Sequence, residues 1–212
     1  MATLISSILA GVMIGIGGSV FVALSAVSRV AGAILFAVGL FTVIVFRLHL
    51  YTGKICYAYT GTDTWYVRAA NLALILFGNT VGAALAGFAL SEKLDAAASV
   101  IVAAKLQTPL WLVFILGAFC GILIYVAVEG YRRAPDGVKA AMVFLGVSVF
   151  ILAGFEHSIA DIFYFAAARE VTLEGFVFLM TVVLGNTVGG MLFAWAHAAY
   201  DRLADKEAKK NA

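Results

Sequence analysis

The sequence predicts an all-α integral membrane protein: six spans arranged as an inverted 3+3 repeat, with spans two and five broken. Three observations lead there. Hydrophobic residues fill 64% of the 212 positions and charged ones only 12%, with a mean hydropathy of +1.05; a soluble domain is about a quarter charged. The charges that exist divide the chain into apolar runs of spanning length. One pentapeptide, GNTVG, occurs at 78–82 and again at 185–189. The composition excludes a soluble globular protein, a disordered chain and a disulfide scaffold. A formal net charge of +2 is too small for a nucleic-acid-binding footprint.

Runs free of Asp, Glu, Lys and Arg cover 1–28, 30–46, 69–91, 106–128, 140–155 and 175–200. The first could be read as a signal peptide, but it lacks a basic leading region and is too long for a signal core, so a true span is favoured. The run 30–46 falls short of the ~20 residues that a ~30 Å hydrocarbon core requires. It is followed by LHLYTGKICYAY at 48–59, which reads as the same span interrupted and resumed. The runs 69–91 and 106–128 are full spans. The run 140–155 is short again and is followed by HSIADIFYFAA at 157–167, a second interrupted span. The last run, 175–200, is a full span, and 201–212 is a charged tail expected to fray in water. The chain is thus one transmembrane domain over 1–200, with halves of about 1–93 and 105–200.

Basic residues set the orientation. With the N-terminus inside, Lys54, Arg68, Arg132, Arg133, Lys139, Arg202, Lys206, Lys209 and Lys210 are cytoplasmic, against Arg29, Lys93, Lys105 and Arg169 outside. Both termini are therefore expected in the cytoplasm, in a cell inner (plasma) membrane protein.

The two GNTVG copies are 107 residues apart, and the same offset carries Gly11 to Ala118 and the break near 49–53 onto 156–160. Three spans per half force the halves into opposite orientations. Inverted repeats carry the substrate path at their interface, between discontinuous helices, and irregular backbone at that depth must be buried in protein or line a cavity. Asn79 and Asn186 read as interhelical hydrogen-bonding residues, with a second, path-lining role open to Asn186.

His157 is the sharpest feature. An ionisable side chain at this depth marks a pathway, and histidine changes charge near neutral pH. It starts a half-helix, whose free N–H groups and dipole favour an anion. Asp161, four residues on, is expected to orient the ring or favour its protonated form, and Glu156 to bond backbone freed by the break. Thr52 offers a hydroxyl at the other break, where Gly53 permits irregular backbone. Lys54 and His49 read equally as interfacial side chains reaching water. Phe36, Leu40, Leu50 and Phe150 read either as core or as dry constrictions. Cys56 and Cys120 lack metal-ligand spacing, so no metal or other cofactor is expected.

The string Phe155-Glu156-His157-Ser158-Ile159-Ala160 with its preceding glycine, Leu50-Tyr51-Thr52-Gly53, and both GNTVG copies resemble the formate/nitrite transporter family over essentially the whole chain. The resemblance implies an aquaporin-like protomer in a homopentamer, with one pore per subunit for small monovalent anions and no enzymatic activity. It implies that His157 is the central pore histidine and Thr52 its partner. It also implies that Phe36, Leu40, Leu50 and Phe150 form the hydrophobic constrictions, that Lys105 is the vestibule lysine, and that Asn186 is a polar residue near the histidine. His49 stands where formate and nitrite members usually carry an acid, and Asp161 where they carry Asn. LYTGK, with Lys54, is more similar to the hydrosulfide-channel branch. The expected substrate is therefore hydrosulfide, with formate or nitrite as the alternative. A membrane heme protein using His49, His157 or His197 is a remote rival. An intramembrane serine protease is another, although Ser158 points away from His157 on a helix.

Overall fold

The computed structural model describes residues 1–60 and 62–211; Gly61 and the final tail residue Ala212 lie outside the described residues. All of its regular structure is helical: α1 (Ala2–Leu24), α2 (Arg29–Val45), α3 (Tyr51–Ile55), α4 (Trp65–Leu106), α5 (Leu110–Arg133), α6 (Lys139–Leu152), α7 (Ser158–Ala167) and α8 (Leu173–Asn211). Four of these, α1, α4, α5 and α8, are long and apolar enough to cross a membrane.

Both interruptions fall where the short apolar runs end. α2 stops at Val45 and α3 begins at Tyr51; α6 stops at Leu152 and α7 begins at Ser158, so each boundary recurs after 107 residues. The intervening backbone repeats too. Arg47 (φ 55°) and Gly154 (φ 73°) hold the left-handed conformation at equivalent positions. The amide of Leu48 donates to the Val43 carbonyl, as that of Phe155 does to Phe150. A left-handed residue reverses the chain after the last helical turn and lets the next amide close onto it.

The two halves pack alike. α1 lies on α4 and α2, whereas α5 lies on α8 and α6, and α2 meets α6 across the centre. Helix contact is backbone to backbone at the GNTVG glycines. A Cβ on Gly82 would overlap the Ile8 carbonyl oxygen, and one on Gly189 would overlap that of Ala118. With no hydrophobic gain between helices in lipid, such close approach is how they associate.

Three expectations need correction. The structural counterpart of Gly11 is Gly121, not Ala118: Gly11 sits against the Asn79 carbonyl, and Gly121 against that of Asn186. The offset is thus 110 in the first helix of each half and 107 afterwards. The interval after residue 93 is not a connector, because α4 runs on to Leu106. Leu94, Ala98 and Val102 keep a buried stripe at helical spacing, while Glu92, Lys93 and Asp95 face outward. α4 packs on α7, with Gly87 against Ala166 and Phe163. The tail also stays helical, since α8 continues to Asn211, and Arg133 on α5 holds Asp201 at 2.6 Å.

Replacing Gly189 by Ala should lower stability by roughly 1–3 kcal/mol through overpacking at the α5–α8 crossing. Gly137, where an added Cβ would meet nothing within 4 Å, should accept Ala without loss. Thermal unfolding of the detergent-solubilised variants reads the difference.

Candidate functional site

Each gap, between α2 and α3 and between α6 and α7, leaves amide and carbonyl groups without helical partners, and in an apolar interior each needs one. One asparagine serves each break. Asn79 on α4 accepts from the Tyr51 amide at 2.7 Å and donates to the carbonyls of His49 and Ser7, both at 2.8 Å. Asn186 on α8 accepts from the Ser158 amide at 2.9 Å and donates to the carbonyls of Glu156 (2.8 Å) and Gly117 (2.9 Å). Both side chains are fully buried. The two amide hydrogens of Asn186 are thus engaged by backbone, so it holds the break in place and has no free N–H for an anion. The path-lining role open to it gives way to a structural one.

The clamps bring the ends of α3 and α7 together. His157 Nε2 lies 3.1 Å from Thr52 Oγ1, a contact between residues 105 positions apart. His157 is the N-cap of α7, and its Nδ1 accepts from the Ala160 amide at 3.2 Å. With Nδ1 accepting, a neutral ring carries its proton on Nε2 and donates it to Thr52. The Thr52 hydroxyl then has its own hydrogen free to give. Both residues are buried.

Aromatic side chains adjoin this contact. Phe150 stacks on the His157 ring with centroids 5.6 Å apart, and Phe36 meets Phe150 edge-on at 6.1 Å. Phe36, Leu40, Leu50 and Phe150 are all buried in one apolar cluster. The histidine therefore has a polar partner on one side and a dry wall on another.

A cavity of about 570 Å³ opens beside His157, lined in part by Arg29, Lys105, Glu156, Asp161 and Tyr164. Lys105, near the end of α4, donates to Glu156 and lies 3.0 Å from Asp161 Oδ1. Its ammonium also sits 5.7 Å from the centre of the Tyr164 ring. Two sequence expectations change here. Asp161 does not orient His157, and the Glu156 side chain does not bond the broken backbone; both carboxylates turn to Lys105. The helical i, i+4 relation fails because His157 is a cap whose ring folds back over the first turn. Lys105 is therefore an ion-paired lysine and not an isolated positive charge. Sequence reasoning misses Arg29, the exposed first residue of α2, which has no ion-pair partner among the described residues and lines the same cavity. Its signal is its solitude as the one charged residue before position 47.

Lys54 is exposed and makes no ion pair among the described residues. The His49 ring is half-buried, its Nδ1 without a partner among the described residues, while the His49 amide donates to Ser6 Oγ at 3.0 Å. Cys56 and Cys120 are buried free thiols, with Cys56 Sγ donating to the Thr52 carbonyl at 3.2 Å.

The family model described as formate/nitrite transporter matches residues 1–200. The nitrite transporter NirC of Escherichia coli (strain K12) is 28% identical over 213 residues, covering 89% of this chain and 79% of its own length. The uncharacterised transporter YwcJ of Bacillus subtilis (strain 168) is 30% identical over 223 residues, covering 90% and 86%. A solved pentameric formate channel with formate bound superposes with a TM-score of 0.84 at 23% identity, covering 95% of this chain and 97% of that one. A structure of an FNT family ion channel gives 0.85 at 26%, covering 94% and 90%. At its identity the formate channel speaks to fold alone.

Replacing His157 by Asn should preserve the α7 cap, since Asn is a good N-cap acceptor, whereas Phe removes it. The Phe variant should be the less stable by about 1 kcal/mol, a difference read by thermal unfolding in detergent.

Proposed function

This chain belongs to the formate/nitrite transporter family, and on that premise we propose that it is a channel for small monovalent anions of weak acids, with the conducting path through the contact between His157 and Thr52. The observation that carries this reading is that contact: two buried polar side chains from α3 and from the start of α7, with His157 stacked on Phe150 and lining a cavity.

The transmembrane layout that fits is six crossings in two halves of opposite orientation. α2 with α3, and α6 with α7, each form one interrupted crossing in an aquaporin-like protomer. Repetition of the helix boundaries, the left-handed residue and the asparagine clamp supports it. A homopentamer in the inner membrane with cytoplasmic termini is the assembly and location we assign, in keeping with the pentameric structural neighbour and the distribution of basic residues.

An anion entering a dry constriction loses hydration at a cost of several kcal/mol. Thr52 replaces part of that hydration by donating its hydroxyl hydrogen, while the His157 Nε2–H, aimed at the same spot, supplies a second donor or a proton. A protonated weak acid crosses the apolar wall of Phe36, Leu40, Leu50 and Phe150 more readily than its anion. Arg29, at the cavity, attracts anions by its field; Lys105 acts there only through its ion-paired cluster. Lys54 is a further positive charge beyond Thr52.

Among weak-acid anions, the LYTGK string favours hydrosulfide. The likeness to nitrite transporters over most of the chain favours nitrite, and formate is the third candidate.

In proteoliposomes, hydrosulfide, nitrite and formate should each enter faster than chloride by at least an order of magnitude. Hydrosulfide exceeding nitrite supports the first substrate, and the reverse order the second. Replacing His157 by Phe should change the dependence of flux on pH; identical profiles would remove the histidine from the path. Chloride passing as fast as the weak-acid anions would overturn the reading altogether.

A further inference from the structure

Asp161 has an arrangement that holding an ion pair does not explain. Its side chain is 1% exposed on the first turn of α7. Oδ1 meets Lys105 at 3.0 Å, but Oδ2 is buried with no hydrogen-bond partner among the described residues. Glu156 already pairs with the same lysine. Two carboxylates thus share one ammonium at the wall of the cavity that leads to His157.

Fully ionised, this cluster carries a net charge of −1 where an anion must approach. An ionised oxygen left buried without a donor is also costly, whereas a carboxyl that holds a proton on that oxygen is far less so. One proton makes the cluster neutral, and the unpartnered Oδ2 is the position open to it.

We propose that Asp161 is the proton donor of the outer cavity, passing a proton from its Oδ2 to a weak-acid anion before that anion enters the constriction at Phe150. The proposal rests on the channel reading and deepens it. The step balances as a proton transfer: the carboxyl and the anion A⁻ become a carboxylate and HA. HA then crosses the apolar wall, and water in the cavity returns a proton to Asp161. Lys105 keeps its charge throughout and stabilises the carboxylate while it is bare. Each anion that enters this way brings one proton with it.

The groups facing Asp161 come from several elements. Lys105 comes from α4, Glu156 and His157 from the break before α7, Tyr164 from α7 itself, and Arg29 from the start of α2, with Cys120 on α5 within its field. Glu156 has a partner for its charge in Lys105, and the His157 ring nitrogens face Ala160 and Thr52 at the constriction rather than the Lys105 cluster. Among the described residues that line the cavity, only Asp161 has a buried side-chain oxygen without a hydrogen-bond partner.

The test uses full-length protein in proteoliposomes with a pH dye inside and nitrite added outside, with protein-free liposomes subtracted. For wild type, nitrite entry should acidify the lumen one proton per anion. Asp161→Asn keeps the shape and the Oδ1 contact with Lys105 but has no acidic proton. It should slow nitrite entry by about 10²-fold and flatten its dependence on pH, while Asp161→Glu should restore the rate and a pH dependence whose midpoint is displaced. Three results would overturn the proposal: Asp161→Asn matching wild type in rate and acidification, a slowing equal at every pH, or Asp161→Glu behaving as Asp161→Asn does. Wild type carrying no nitrite, hydrosulfide or formate is a different failure, that of the channel reading itself. If Asp161→Asn yields no folded protein, the Asp161→Glu comparison decides alone, since a retained one-to-one acidification with a displaced pH profile is expected and an unmoved profile contradicts it.

Discussion

The structure depends on satisfying the backbone of two helices that stop inside an apolar protein. A helix end left bare in such surroundings costs several kcal/mol per group, so the breaks exist only because Asn79 and Asn186 close them. Each asparagine accepts from the first amide of the resumed helix and donates to two carbonyls around the gap. The clamps fix where α3 and α7 begin. Those starting points carry Thr52 and His157, so the position of the clamps determines that these two side chains meet. Gly82 and Gly189 serve the same end one step earlier, letting α1 and α5 lie close enough on α4 and α8 for Ser7 and Gly117 to reach the asparagines.

Charge is arranged as unevenly as backbone is arranged regularly. The halves share their clamps and their left-handed residues, yet at corresponding positions of the breaks one carries His49, Leu50 and Lys54 and the other Glu156, His157 and Asp161. Symmetric scaffolding therefore holds an asymmetric set of ionisable groups. On the α7 side the acids draw Lys105 back along the long α4, closing a cluster over the cavity. On the α3 side Lys54 is left exposed. The proposed path therefore has two electrically unlike ends, with His157 placed between them.

Much of this is legible in the sequence, for identifiable reasons. The gaps after α2 and α6 are visible because an apolar run too short to cross a bilayer ends there, and polar residues crowd where it does. The shared spacing is visible because GNTVG is long enough to anchor an offset. That offset fails in the first helix of each half because α1 and α5 differ in register by three residues, and no string in α1 repeats in α5 to show it. The Lys105 cluster is invisible because Lys105 and Glu156 lie 51 positions apart, beyond any helical periodicity. The i, i+4 rule gives Asp161 the wrong partner because it presumes that both residues are helical, and His157 is a cap. The continuation of α4 past residue 93 is hidden by surface charges, which mark where a helix meets water as readily as where it ends.

The central claim is that the meeting point of the two broken helices is the route that anions take. Cysteine substitution at Thr52, in a background with Cys56 and Cys120 replaced by Ala, tests it most directly. The expected result is that a small, charged, water-borne thiol reagent modifies position 52 and abolishes nitrite flux, with protection when nitrite is present in excess. Modification at position 52 that leaves nitrite flux intact would contradict the claim.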